Sequence, residues 1–363
     1  MKEFFNGAFT LNGVKVRYQD LSEVAYSLVK EGDPYEQEIG DFLLDWVSER
    51  EEVRMQTSGS TGAPRTIHMP KNAMVHSALA TGEYLGLDEG TKALLCLPAR
   101  SIAGKMMLVR ALVLGWKLEL KPPDSNPLEG LLEPVDFAAM VPMQLEASLD
   151  KLDRISTILV GGAPLSKGLL ARIPEDGASI YESYGMTETA SHIALRKLCR
   201  VPAGKAPETV LPPFRALPWV EIGTDKRGCL SIRTSYLPEN PLVTNDLVSL
   251  ESNETFRWLG RIDHVVNSGG VKLIPEQLES KLSTLISQPF FLAGMPDETL
   301  GEKLVLLVEG PGEDSLLEKI REAKVVDRYE VPREVHFLKK FVHTPTGKID
   351  RPQTLKILET ESQ

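Results

Sequence analysis

KALLCLP (92–98), SIAGKMMLVRALVLG (101–115), WKLEL (116–120), VDFAAMVP (135–142), MQLEASLDKL (143–152), STILVGG (156–162), SKGLLARI (166–173) and ASIYESYG (178–185) follow one another with short gaps. Apolar runs of strand length alternate with stretches that carry a helical pattern. That alternation predicts a layered α/β domain with largely parallel strands.

Outward from this stretch the pattern changes. Residues 201–217 are rich in proline and lack a period, so they read as a loop. Beyond them WVEIG (219–223), GCLSIRT (228–234), DLVSLES (246–252) and TFRWLG (255–260) are short strand-like runs between turn residues, which predict a small β subdomain. After Gly260 come strand-like DHVVNS (263–268), a Gly-Gly turn, helix-like PEQLESKLSTLI (275–286), strand-like FFLAGM (290–295) and KLVLLVE (303–309), helix-like LLEKIREAK (316–324) and strand-like EVHFLKK (334–340). About one hundred residues suffice for an independent α+β unit. The expected division is a large domain at 1–262 and a small one at 263–363.

At 363 residues the chain exceeds one ordinary domain of ~100–200 residues, in keeping with that division. Forty-one basic side chains against fifty-one acidic ones leave a formal charge of −10, which disfavours nucleic acid or anionic lipid as a partner. Cys96, Cys199 and Cys229 are odd in number and widely spaced, so neither a disulfide framework nor a CxxC metal site is expected. A reducing, cytoplasmic setting fits them. No run approaches the ~18 apolar residues of a membrane span, and the start, MKEFFNGAFTLNG, lacks the pattern of a secretory leader.

The strongest chemical signal is Thr57-Ser58-Gly59-Ser60-Thr61-Gly62-Ala63-Pro64-Arg65, between strand-like EEVRMQ and a helical pattern that begins near Lys71. Small residues let backbone amides approach an anion, hydroxyls donate to it, and arginine adds charge. No GxxxxGK[ST] occurs, so this is a phosphate loop of another kind or a flexible Ser/Gly turn. Tyr181 to Thr189, YESYGMTET, follows a buried-strand pattern and puts a glycine turn, hydroxyls and a carboxylate at a strand's carboxyl end, where ligands of open α/β sheets collect. Gly161-Gly162-Ala163-Pro164 ends the preceding strand and offers a flat backbone surface to a ring; alone it is just a turn.

These three segments, in order with Gly260-Arg261-Ile262-Asp263, Gly269-Gly270-Val271-Lys272 and Pro345-Thr346-Gly347-Lys348-Ile349, resemble the acyl-adenylate-forming superfamily of acyl-CoA synthetases, peptide-synthetase adenylation domains and luciferases. The resemblance runs from about Gln56 to Arg351. It implies that ATP, Mg²⁺ and coenzyme A are used. Thr57, Ser58, Gly59, Ser60, Thr61, Gly62 and Arg65 would hold the β- and γ-phosphates, with Arg65 where most relatives carry lysine. Gly161, Gly162, Ala163, Glu182, Ser183, Tyr184 and Gly185 would border the adenine, Thr187 the α-phosphate, and Glu188 would bind the metal. Asp246 would grip the ribose hydroxyls, as a carboxylate accepting two O–H bonds can, and Arg261 would reach the ribose or a phosphate. The usual tyrosine-threonine-glycine lead-in to that aspartate reads Val243-Thr244-Asn245 here. Lys348 would bridge the attacking carboxylate and the α-phosphate. The small domain would then turn about Asp263 and bring Gly269, Gly270 and Lys272 to the thiol's path.

For the acid, LPARSIAGKMMLVR (97–110), VPMQL (141–145) and GMTETAS (185–191) look like the o-succinylbenzoate-CoA ligases of menaquinone synthesis. Arg110 falls on that family's arginine near the aromatic carboxylate, and Ser101, Ser191 and His192 would complete the acid's surroundings. Arg100-Ser101 stands where relatives have an aromatic-histidine pair, and His192 where glutamine is common. Only about fifty-six residues precede the phosphate loop, fewer than in full-length relatives. Another acyl- or aryl-CoA ligase, a carrier-protein adenylation enzyme and a non-catalytic nucleotide-binding relative stay open, as does a homo-oligomeric state. Hydrolase, dehydrogenase and zinc readings fail, since G-x-S-x-G, G-x-G-x-x-G and H-E-x-x-H are all absent.

Overall fold

The computed structural model describes residues 1–57, 65–202, 204–205, 207–237, 241–313, 315–343 and 349–361. Ser58 to Gly62 of the phosphate loop, and Lys348, therefore lie outside the described residues. The chain groups into two compact units: Met1–Arg200 with Leu211–Glu221 and Arg233–Pro241, and Val201–Val210 with Ile222–Ile232 and Leu242–Gln363. The small β subdomain thus groups with the carboxy-terminal residues, whereas the sequence pattern alone suggested a cut after residue 262.

The first unit is the expected α/β layer. Its strands are β1 (Thr10–Leu11), β2 (Val14–Lys15), β3 (Glu52–Thr57), β4 (Arg65–Pro70), β5 (Lys92–Leu95), β6 (Lys117–Leu120), β7 (Val135–Met140), β8 (Ile155–Val160), β9 (Ser179–Gly185), β10 (His192–Lys197) and β11 (Phe214–Ala216). Its helices are α1 (Leu21–Glu31), α2 (Pro34–Val47), α3 (Lys71–Leu85), α4 (Ile102–Leu114), α5 (Pro142–Ala147) and α6 (Lys167–Arg172). The sheet runs β11-β10-β9-β8-β7-β5-β6-β1-β2, and every neighbouring pair from β9 to β1 is parallel. Strands covered on both faces need continuous apolar runs, as Phe137 to Met140 in β7 provide. β3 and β4 form a separate antiparallel hairpin, in register from Glu52 opposite Pro70 to Thr57 opposite Arg65.

Helix α4 is apolar apart from Lys105 and Arg110, and Met106, Met107, Leu108, Val109, Ala111 and Leu112 are all buried, as so apolar a helix must be. It starts where the Ser101 hydroxyl accepts the Gly104 N–H at 3.2 Å. It stops at Gly115, whose φ of +73° suits glycine. Arg110 interrupts the apolar run of α4 and is itself buried.

In the second unit, after the short α7 (Pro207–Val210), come β12 (Glu221–Thr224), β13 (Cys229–Arg233), β14 (Leu242–Leu250) and β15 (Thr255–Arg261), consecutive neighbours in one sheet. Next are β16 (Val266–Ser268), β17 (Val271–Leu273), α8 (Pro275–Leu282), β18 (Phe290–Asp297), β19 (Gly301–Glu309), α9 (Leu316–Ala323), β20 (Glu334–Leu338) and α10 (Arg351–Glu361). Their sheet has the order β17-β16-β19-β18, with β20 parallel to β19. The two-residue period of a strand divides β19 between two cores. Leu304, Leu306 and Val308 pack with Leu278, Leu282 and Ile320, while Val305 and Leu307 pack with Phe291, Phe341 and Leu358. Close packing joins β15 to α8: a Cβ on Gly260 would stand 2.4 Å from a Glu276 oxygen and 2.7 Å from Ile274. No helix among the described residues is long and apolar enough to cross a membrane.

Candidate active site

In the first unit, Gly161 and Gly162 follow the carboxyl end of β8, and Tyr184 and Gly185 close that of β9. Two glycines there are required by close approach. A Cβ on Gly161 would meet the Ser183 hydroxyl at 2.1 Å, and one on Gly185 would meet His192 Cα and the Ser191 carbonyl at 2.4 Å each. The Ser183 hydroxyl donates to the Val160 carbonyl at 3.1 Å, tying the two strand ends together. Ala163 is exposed and Tyr184 half-buried, with its ring 5.8 Å from that of Phe214. Glu182 is bonded by Arg196 at 2.6 Å, opposite it on β10, and Arg196 also lies 4.4 Å over the Phe214 ring. Burial pushes the Glu182 carboxyl up against the opposing pull of that arginine. Its side chain thus braces the sheet.

Between β9 and β10 the chain makes one tight turn. Thr189, fully buried, accepts the Met186 N–H at 3.0 Å and lies 2.6 Å from the Ser191 carbonyl. Ala190 is held at φ +63°, a conformation that costs a non-glycine residue free energy and persists only where its surroundings impose it. Thr187 and exposed Glu188 project from this turn, and among the described residues their side chains make no hydrogen bond. No group of three or more His, Cys, Asp or Glu side chains among the described residues could cage a metal. A single carboxylate fits Mg²⁺ that keeps phosphate and water oxygens as its other ligands.

On the other side of that turn lies a buried polar cluster. Arg110 donates from Nη2 to the Ser191 hydroxyl at 2.8 Å and from Nε to the Thr81 hydroxyl at 3.3 Å; His192 Nδ1 is 3.4 Å from Nη2, and His192 Nε2 is 3.2 Å from Thr81 Oγ1. Among the described residues no carboxylate pairs with Arg110, although it is only 1% exposed. Burial pulls its guanidinium down to about 9, so it stays a cation at neutral pH. Burial, aided by Arg110, holds His192 well below the ordinary histidine range, so the ring is neutral. An unpaired buried cation is costly and is most simply explained by an anion that joins it. Ser101 differs from its companions: its hydroxyl donates to the Pro98 carbonyl and accepts from Gly104, the two bonds of a helix cap. Neighbouring Arg100 is paired with Glu38. Thr81 carries no signal in α3 except Ser77 one turn earlier, whose carbonyl takes the threonine hydrogen at 2.8 Å.

In the second unit, Asp246 and Arg261 are register partners on β14 and β15, with Nη1 3.5 Å from the carboxylate. Arg261 Nη2 also donates to Asp263 at 2.9 Å. The structure thus brings Asp246, Arg261 and Asp263 together. Gly269 (φ +58°) and Gly270 (φ +86°) form the two-residue turn of the β16–β17 hairpin, which needs positive φ at both positions. Lys272 follows, exposed on β17. Gly269 also borders a groove of 440 Å³ rimmed by Arg321, Arg328, Arg333 and Tyr329.

The first unit thus carries the β3–β4 hairpin, glycine-lined strand ends, an acidic turn and a buried arginine cluster. A family model described as AMP-binding enzyme matches residues 49–221. An acyl-CoA synthetase (AMP-forming)/AMP-acid ligase II-like protein from Dyadobacter fermentans is 38% identical, with 93% of this chain and 98% of that one covered and a TM-score of 0.60. The 2-succinylbenzoate–CoA ligase of Bacillus mycoides is 28% identical over 337 residues, which are 84% of this chain and 69% of the relative. The o-succinylbenzoate coenzyme A synthetase of Bacillus subtilis, solved with ATP and magnesium, shares the fold at 22% identity and a TM-score of 0.69, covering 92% and 82% of the two chains. The chain belongs to the AMP-binding, acyl-CoA synthetase-like family of ligases.

Proposed function

We propose that the protein is an o-succinylbenzoate–CoA ligase of menaquinone synthesis, working in the cytoplasm. The observation that carries the choice of acid is Arg110, a buried cation with no carboxylate partner among the described residues. A dicarboxylic acid needs one fixed positive group for the carboxylate that does not react, and a guanidinium offers a fork for it. Relatives named for this activity match 84% of the chain.

In the first step the reacting carboxylate attacks the α-phosphorus of ATP, the bond to the β-phosphate oxygen breaks, and pyrophosphate leaves. Thr57 to Arg65 would hold the departing phosphates, Thr187 the α-phosphate, and Lys348 the charge that develops between acid and phosphorus. Mg²⁺, carried by Glu188 and the phosphates, supplies further charge neutralisation when bound. Asp246 and Arg261 would hold the ribose, with the strand ends at 161–163 and 182–185 around the adenine. In the second step a thiolate attacks the acyl carbonyl and AMP leaves. This requires the domain at 263–363 to turn about Asp263 and to replace Lys348 with the Gly269-Gly270 hairpin and Lys272. Free coenzyme A is favoured as the thiol by the groove beside Gly269, whose three arginines have no ion-pair partner among the described residues and suit a phosphorylated nucleotide. Incubation of the protein with ATP, Mg²⁺, coenzyme A and a panel of aryl and acyl acids, read by mass, tests the reading. A thioester of o-succinylbenzoate is expected; a thioester of another acid only, or transfer only to a carrier protein, defeats it.

A further inference from the structure

A buried threonine inside a helix usually returns its hydroxyl to the carbonyl one turn back and does nothing else. Thr81, fully buried on α3, does this with Ser77 and yet also meets α4 through Arg110 and β10 through His192. We propose that Thr81 is a positioning residue of the acid site, fixing which nitrogen of His192 carries the proton and thereby how the guanidinium of Arg110 is presented. The proposal rests on Arg110 being the group that holds the acid.

Giving the Thr81 hydrogen to its shortest acceptor selects one arrangement. A hydroxyl has one hydrogen and two lone pairs. The Ser77 carbonyl, 2.8 Å away, can only accept, so it takes the hydrogen. Arg110 Nε, at 3.3 Å, can only donate, and fills one lone pair. The other lone pair faces His192 Nε2 at 3.2 Å, so that nitrogen must carry the ring hydrogen. Nδ1 is then bare. It accepts from the Ser191 hydroxyl at 3.1 Å, whose own oxygen accepts from Arg110 Nη2 at 2.8 Å. The opposite tautomer would turn a bare nitrogen toward a bare lone pair, and an N–H toward the guanidinium. Nε and Nη2 are thus engaged by the protein, and Nη1 makes no hydrogen bond among the described residues. It is the edge left to meet the second carboxylate.

Removing the hydroxyl would free the ring to exchange tautomers and leave Nε without its acceptor. Thr81→Val keeps the shape; Thr81→Ser keeps the hydroxyl. Histidine-¹⁵N spectra and steady-state kinetics with o-succinylbenzoate are measured for the full chain, for both variants and for Arg110→Ala. We expect an Nε2–H ring at His192 in the unsubstituted protein and in Thr81→Ser, and mixed tautomers in Thr81→Val. The KM for the acid should rise about tenfold in Thr81→Val with kcat nearly kept, as for a lost binding contact, and return in Thr81→Ser. An Nδ1–H ring in the unsubstituted protein overturns the proposal even if Thr81→Val fails to fold. So does an unchanged spectrum or unchanged KM in Thr81→Val. If Arg110→Ala alone raises KM, the role of Arg110 stands and that of Thr81 falls; if neither substitution raises it, both fall.

Discussion

The side-chain nitrogen of Asn245 lies 3.2 Å from each carboxylate oxygen of Asp263. Asn245 occupies the position of a motif glycine, so this contact is made by the departure from the motif. It adds to the bond from Arg261 Nη2 and ties the proposed pivot to β14 and β15. The bonds are solvent-exposed, which limits their worth to ~0.2–1 kcal/mol.

Asn245→Gly should therefore speed the thioester-forming half-reaction by about 1.4- to 5-fold, the rate equivalent of that energy. Pyrophosphate exchange, which reports adenylation, should be unchanged. Single-turnover kinetics of the two halves check this, and equal effects on both would remove Asn245 from any part in the domain movement.

Lys348→Ala should slow adenylation by about 10²–10³-fold, the usual cost of one donor aimed at developing charge. Thioester formation from supplied acyl-adenylate should persist. Comparable loss of the two halves would reject the division of labour assigned to this lysine.

Arg110→Ala should raise the KM for o-succinylbenzoate by about one to two orders of magnitude, as a charged hydrogen bond of ~1.5–3 kcal/mol implies. The effect on benzoate derivatives lacking a second carboxylate should be much smaller. Acid-dependence curves for the two substrate types decide between this and general damage.

Gly185→Ala should cost about 1–3 kcal/mol and impair adenylation, because the added carbon meets backbone atoms of Ser191 and His192 at 2.4 Å. Urea melts and pyrophosphate exchange report the two effects. A fully stable, active variant would contradict the tight strand-end geometry.

The pH dependence follows from His192, whose folded-state value is held well below 6.5. Well above 6.5 the ring is neutral whether folded or unfolded, and the group contributes no slope. As pH falls below 6.5 the unfolded chain takes up a proton that the folded one refuses, so stability is lost, by at most about 1.4 kcal/mol per pH unit. His192→Gln should remove this share of the acid-side loss between pH 6.5 and 5. Parallel denaturation curves of the two proteins measure it.

The parallel sheet was legible because strands buried on both faces need unbroken apolar runs, which β5, β7 and β8 display. The Gly-Gly hairpin was legible because few residues besides glycine take two successive positive φ values. Strand β4 was not: Arg65–Pro70 alternates weakly and gains strand geometry only from pairing with β3. The motifs of the proposed site stood apart in the sequence. What joins them was hidden, since Thr81 and Arg110 are 29 residues apart and Arg110 and Ser191 are 81 apart. A helical threonine and an arginine in an apolar run announce nothing until the fold presses them together. The compact grouping of the β subdomain was hidden likewise, because it depends on how α8 meets Gly260.

Burying the Arg110 guanidinium with no carboxylate beside it among the described residues costs the native state free energy, and on the proposed function the acid's second carboxylate would offset that cost. The acid would then double as a ligand that stabilises the native state by mass action. Heat resistance would then gauge occupancy, and cells starved of the acid would carry a more fragile pool of the protein than cells well supplied with it.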